Sequence, residues 1–248
     1  MLQYSQAVDG GLVRVAFTTR EEGNLALHVG DDPETVAARR ARLVAELGLP
    51  AAAQFMDQVH STVVARLETP ERPGPTADAL VTAAADLPLA VMVADCLPVV
   101  FAAVSGESVA LGAAHAGRRG LLDGILPETV DRLREAVDAG AAPARLSAWI
   151  GPSICGRCYE VPASMRADAE RLLPGIGSTT RGGSDGLDLP GAAARQLRAL
   201  GVDVVASGVC TLEDDRFYSY RRDPATGRIA GIIWRSAGEG DETRKDSR

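Results

Sequence analysis

The chain has 248 residues, 46% of them hydrophobic but only 4% aromatic, and a net charge of −7. That length holds one large domain or two small ones, and so few aromatics argue against a base-stacking platform for single-stranded nucleic acid. The acidic balance opposes a polyanionic partner but leaves room for a small phosphate-bearing substrate held by local arginines, and with Lys245 the sole lysine, Schiff-base chemistry is nearly excluded.

Residues 1–11 are polar and lack an apolar core, so no secretory signal is expected. No stretch approaches 18 uninterrupted apolar residues, so no membrane span is expected either. The reading is a cytoplasmic protein with neither nucleic acid nor membrane as partner. Residues 12–19 read as a strand, followed by a polar loop. Asp32-Pro33-Glu34 is a helix start, aspartate as N-cap and proline in the first turn. Gly48 stops that helix after Leu47.

Residues 55–67 alternate like a strand and lead to a Pro/Gly loop. Short apolar runs at 80–81, 87–93, 97–104 and 108–113 read as buried strands. A helix is expected over 120–139, a strand over 146–150, helices over 162–173 and 189–200 separated by a Gly/Ser/Thr-rich loop, and strands over 202–206 and 228–234. This order is not a strict strand–helix alternation, and no nucleotide-binding glycine motif is present. The expected fold is α+β (mixed α/β): mixed β-sheets flanked by helices in a single domain over 1–235, with 236–248 a disordered tail.

Histidine is scarce. There are three, and two of them, His60 and His115, frame Cys96 in sequence. Two imidazoles and a thiolate suit zinc, and three protein ligands leave a position open for water or substrate. Cys96 and His115 sit at the ends of predicted strands, where a rigid sheet presents functional groups. Taken singly, a buried cysteine is usually a small hydrophobe and a strand-end histidine structural; the set of three carries the argument. His28, among apolar residues, reads as structural.

Cys155-Gly156-Arg157-Cys158 is a CxxC that fits structural zinc, a redox pair or deaminase ligands. The zinc nucleobase deaminases pair it with His-x-Glu and a proline just before the first cysteine. Here Gly117 stands two places after His115, and Pro152 is not adjacent to Cys155. With no second CxxC, a four-cysteine site is not expected, and Cys158 is read as lining the pocket. Arg118-Arg119 and Arg221-Arg222 are paired arginines beside turns, suited to phosphate or to solvated surface.

These motifs resemble the YfiH family, also called laccase-domain proteins. The resemblance rests on Gln58-Val59-His60, Ala94-Asp95-Cys96-Leu97-Pro98-Val99 and His115-Ala116-Gly117-Arg118-Arg119-Gly120. It extends through Thr18-Thr19-Arg20, His28 to Asp32, Ala77 to Thr82, Gly151 to Ile154, Cys158 to Val161, Phe217 to Asp223 and Thr226 to Arg228, in consistent order over about residues 10–235. It implies one zinc ion on His60, Cys96 and His115. It also implies a purine nucleoside phosphorylase acting on adenosine, inosine and methylthioadenosine, with adenosine deaminase activity. The chain departs from the family at Arg118, where tryptophan is usual, and at Cys155-Gly156-Arg157-Cys158.

For that activity Arg20, Asn24 and Arg119 are the candidates to bind substrate and phosphate, and Asp95 and Glu160 the candidate proton carriers. A zinc ion on two neutral imidazoles and one thiolate keeps positive charge and can activate water for deamination. The alternative is a Cys–His hydrolase, Cys96 as nucleophile and His115 as base, which the family's link to peptidoglycan precursors would suit. A copper-dependent laccase is disfavoured, since four coppers need far more than three histidines. A metal-stabilised binding module fits an open ligand position beside paired arginines less well.

Overall fold

The computed structural model describes residues 1–9, 11–137 and 143–237. Its elements in chain order are β1 (Leu2–Val8), β2 (Gly11–Phe17), α1 (Pro33–Leu47), β3 (Val64–Arg66), β4 (Ala79–Thr82), β5 (Leu89–Val93), β6 (Leu97–Ser105), β7 (Ser108–Ala116), α2 (Arg118–Asp123), α3 (Ile125–Ala136), β8 (Arg145–Ile150), α4 (Ala163–Leu172), β9 (Gly177–Thr179), β10 (Asp185–Leu187), α5 (Leu189–Ala199), β11 (Val202–Ala206) and β12 (Ile229–Ala237). Among the described residues an antiparallel sheet runs in the order β1-β2-β12-β5. A mixed sheet runs β11-β8-β6-β7-β4-β3, parallel at its two outer pairs and antiparallel within.

Alternation of side chains across each strand explains the layering. Val13, Val15 and Phe17 of β2 turn toward Val100 and Ala102 of β6 and Leu111 and Ala113 of β7, forming a core between the two sheets. Ala16, Ala90, Ile232 and Trp234 turn the other way, onto Leu43 of α1. Val99, Phe101 and Ala103 leave the opposite face of β6 to pack with Leu121, Ile125, Val130 and Leu133 of α2 and α3 and Leu197 of α5. The result is helix, sheet, sheet, helix. With both faces covered, β4 to β7 read as near-continuous apolar runs rather than alternating ones.

Helix α1 begins and ends where the sequence placed it. Asp32 accepts from the Thr35 amide at 2.8 Å, Pro33 opens the first turn, and Gly48 adopts φ 60° to close the last one. Four expectations differ from the structure. Residues 55–67 are not one strand: only Val64–Arg66 pairs regularly, because amides earlier in the segment bond to a side chain instead. The single helix over 120–139 is two, broken at Gly124 with φ 101°, and residues 138–139 lie outside those described. The polar N-terminus forms strand β1, and the loop between α4 and α5 contains the β9–β10 hairpin. Strand β12 extends to Ala237, past the expected start of the tail at residue 236; residues 238–248 lie outside those described.

Phe17 is fully buried where the sheets meet, and its ring fits a slot that only glycine leaves open. A Cβ at Gly151 would lie 2.4 Å from that ring, and one at Gly231 2.9 Å. Replacing Phe17 with alanine is expected to destabilise the protein by about 3–5 kcal/mol. Urea denaturation measures this, and a loss below about 1 kcal/mol would mean that the slot collapses around the truncation.

Candidate functional site

The sheet-to-sheet crossover from β5 to β6 creates the site. Asp95 takes φ 84° there, a left-handed conformation unusual for a non-glycine residue, and Cys96 follows it. Pro98 pairs with His115 across the β6–β7 ladder, so the start of one strand lies beside the end of the other. His60 arrives on the irregular segment after Gln58, also with a positive φ, 62°. The donor atoms of His60, Cys96 and His115 lie within 4.8 Å of one another. Cys96 Sγ is 3.8 Å from His60 Nε2, and the two imidazoles meet edge to face with centroids 4.6 Å apart.

One buried carboxylate organises the two histidines. Asp78 accepts the consecutive amides of Val59 (3.2 Å), His60 (3.0 Å) and Ser61 (2.5 Å), and the Ser61 hydroxyl at 2.8 Å. Its Oδ1 also lies 2.8 Å from His115 Nδ1. That bond turns His115 Nε2 toward Cys96 and fixes the tautomer, as carboxylates do behind metal-ligating histidines. Gln58 ties the same loop to β5, exchanging bonds with the carbonyl and amide of Met92 at 2.7 and 2.9 Å. Gly117 lets the chain pass close: a Cβ there would sit 2.6 Å from His60 Cδ2 and 3.2 Å from Cys96 Sγ.

Electrostatics favour ionised Cys96. Burial pushes its thiol up, but hydrogen bonds from His115 and His60 outweigh burial and bring it down to about 6. Burial lowers the pKa of His115, yet Asp78 and then Cys96 raise it to about 9. Burial raises that of Asp78, and His115 with Ser61 bring it down to about 2. A thiolate beside two imidazoles is a metal ligand set, and it is also a nucleophile beside a base.

A cavity of about 540 Å³ opens over these residues. Met92, Ile154, Leu189, Tyr159 and Tyr220 give it apolar and aromatic walls, and Arg118, Arg221 and Arg228 bring positive charge. Arg221 stacks 5.3 Å from the Tyr159 ring centroid and donates to the Glu160 carbonyl at 3.1 Å. His28 also lines the cavity and is exposed, which corrects its reading as a satisfied structural histidine. Partial burial, then Arg228, lowers its proton affinity.

The other sequence candidates are placed differently. Asp95 lines the cavity, but its carboxylate already accepts from Thr211 (2.6 Å), Ser219 (3.1 Å) and the Arg221 amide (2.7 Å). Glu160 and Arg119 are exposed and lie outside the lining. Arg20 packs on Tyr218, 5.4 Å from its ring centroid. Asn24 is buried, its amide spent on Ala26, Asp31 and the Arg228 backbone. Cys158 is not in the lining and clusters with Cys155, Cys210 and Glu213. The arginines that line the cavity are Arg118, Arg221 and Arg228, not Arg20 or Arg119. Arg118 and Arg221 belong to the paired-arginine motifs of the sequence, and Arg228 ends the Thr226-Gly227-Arg228 segment.

Residues 8–236 match the family described as multi-copper polyphenol oxidoreductase laccase. A Neisseria meningitidis protein, NMB0706, is 34% identical and superposes with a TM-score of 0.78, covering 95% of this chain and 99% of its own. The Bacillus licheniformis hypothetical protein YfiH is 27% identical, with a TM-score of 0.77 and coverage of 93% and 98%. This chain belongs to the YfiH, or laccase-domain, family. Relatives named purine nucleoside phosphorylase include ORF3 of Streptomyces griseus, 44% identical over 94% of this chain and 99% of that one. SCO2081 of Streptomyces coelicolor is 46% identical over 91% of each. The expected family and the fold of mixed sheets flanked by helices are both found, and a purine nucleoside phosphorylase-like enzyme is what such relatives support. No helix among the described residues is long and apolar enough to cross a membrane.

The three donors fit a metal ion: two imidazole nitrogens and a thiolate converge, with a carboxylate behind one histidine. Replacing Asp78 with asparagine removes the charge behind His115 and is expected to weaken metal affinity about 10–100-fold. Competition with a chromophoric chelator measures this, and unchanged affinity would remove Asp78 from the site.

Proposed function

We propose that this chain is a zinc-dependent purine nucleoside phosphorylase acting on adenosine, inosine and methylthioadenosine, with one zinc ion on His60, Cys96 and His115. The observation that carries the reading is the cavity, whose lining joins three arginines and apolar and aromatic side chains to the His–Cys–His set itself. Its volume is within the range of small-molecule sites. The names carried by the Streptomyces relatives support the same reading.

Phosphorolysis joins a phosphate oxygen to C1′ of the ribose as the bond from C1′ to the purine breaks. The task for the protein is to hold phosphate and sugar in line and to exclude water. Guanidinium forks suit phosphate, and Arg118, Arg221 and Arg228 are the phosphate ligands in this reading. Asp95 acts as a positioning residue: by accepting the Arg221 amide and the hydroxyls of Thr211 and Ser219 it holds the segment that carries Arg221 against the pocket. Tyr159, Met92 and Ile154 offer the purine a dry surface. Zinc, when bound, supplies a Lewis acid and fixed positive charge at the base of the cavity. Adenosine deamination is the lesser capacity, because Asp95, the one carboxylate among the described lining residues, is committed to three donors.

A second reading has support from Cys96 itself. Its lowered pKa, with His115 held by Asp78, is also the arrangement of a cysteine hydrolase acting on peptidoglycan precursors. His60 separates the two: a metal ligand when the first reading holds, a bystander in the second.

Zinc-loaded protein given adenosine and phosphate is expected to yield adenine and ribose 1-phosphate by chromatography, and His60→Ala to lose both metal and activity. Unchanged nucleoside with fully loaded protein would overturn the assignment. Arg118→Ala is expected to raise the KM for phosphate about 10–100-fold, the loss of one charged hydrogen bond of ~1.5–3 kcal/mol. Initial-rate kinetics decide it, and an unaltered KM would place phosphate elsewhere.

A further inference from the structure

Cys155, Cys158, Cys210 and Glu213 bring their sulfur and carboxylate atoms within 4.8 Å of one another. They share no residue with the His60–Cys96–His115 set. We propose that these four side chains form a second metal site, a closed structural zinc site with three thiolate ligands and one carboxylate.

Two matching turns build it. In residues 155–158 the amides of Cys158 and Tyr159 donate to the Cys155 carbonyl at 2.9 and 3.0 Å. In residues 210–213 the amides of Glu213 and Asp214 donate to the Cys210 carbonyl at 3.2 and 3.0 Å. Each turn therefore presents its first and fourth side chains together, the geometry that lets a pair of residues grip one ion. The turns lie side by side, since Ser153 donates to the Val209 carbonyl and Thr211 to the Ser153 carbonyl, at 3.2 and 3.1 Å.

The donor atoms point inward. Cys158 Sγ is 3.0 Å from Glu213 Oε1, and the Cys155 amide is directed at Cys210 Sγ at 3.4 Å. Sulfur ligands on a zinc ion lie about 3.8 Å apart, given a 2.3 Å bond and tetrahedral angles. The cluster is close to that size already. Three thiols are an odd number, so one disulfide would leave one of them over, whereas three thiolates and a carboxylate complete a tetrahedron. Soft sulfur donors select zinc over calcium or magnesium, and four protein ligands leave no open position, which makes the site structural. Arg181 is 2.6 Å from Glu213 Oε1 and offsets the excess negative charge.

The ion would fasten the segment containing Thr211, Ser219 and Arg221 to the one containing Tyr159, and so hold one wall of the cavity. This site would be independent of what occupies the first.

Elemental analysis of zinc-grown protein tests it in a His60→Ala/Cys96→Ser background, which removes the first set of ligands. About one zinc per chain is expected there, and none after adding Cys158→Ser and Cys210→Ser. Wild type and background both holding one zinc would sink the first site and support this one. One zinc in the wild type and none in the background would overturn this proposal, as would zinc undiminished by the two cysteine substitutions. Should the variants fail to fold, cobalt substitution of the wild type with thiol titration gives the answer. Cobalt bound in tetrahedral thiolate sites in two equivalents per chain supports the second site; a disulfide among Cys155, Cys158 and Cys210 excludes it.

Discussion

A charge with no water around it must be answered by the protein, and Asp78 is such a charge, fully buried. Five donors answer it: three consecutive amides, a serine hydroxyl and a histidine ring. Those donors are the His60 loop and His115, so satisfying the carboxylate and assembling the site are the same event. The three amides can converge on one carboxylate only if the loop coils tightly, and His60 has the positive φ that goes with such a coil. Asp78 also accepts the His115 amide on its own carbonyl at 2.7 Å, which fixes the residue as well as its ring.

Asp95 does a parallel job on the other side of Cys96. Its left-handed backbone turns the chain from one sheet to the other, while its carboxylate gathers Thr211, Ser219 and Arg221 from a segment more than a hundred residues away. One aspartate therefore sets the histidines, and the other sets the cysteine's turn and an arginine of the pocket. Neither needs to touch a substrate to matter for one.

Much of this was legible in the sequence because it is local. Asp32, Pro33 and Gly48 mark both ends of α1, and near-continuous apolar runs mark β4 to β7, covered on both faces. The sparse histidines with Cys96 pointed to the set that the fold brings together. What could not be read is what depends on distant pairing. Residues 55–67 alternate like a strand, but their amides answer Asp78, a partner that periodicity does not show. Asp78 sat in a recognised motif with no evident task. Cys158 looked like a pocket residue because its partners Cys210 and Glu213 lie over fifty positions on, and a carboxylate completing a cysteine cluster leaves no spacing signature. Asn24 looks free in one dimension and is spent in three, its amide taken by Ala26, Asp31 and the Arg228 backbone.

The crossover at Asp95 and Cys96 also means that the cavity straddles a seam. Gln58 anchors the His60 loop to β5 in one sheet, while Asp78 anchors it beside β4 in the other. The His60 loop is thereby tied to both sheets, and the position of its imidazole depends on how the two are packed. A ligand bound across the cavity touches groups held by both sheets, and its binding therefore adds to the stability of their mutual packing by mass action.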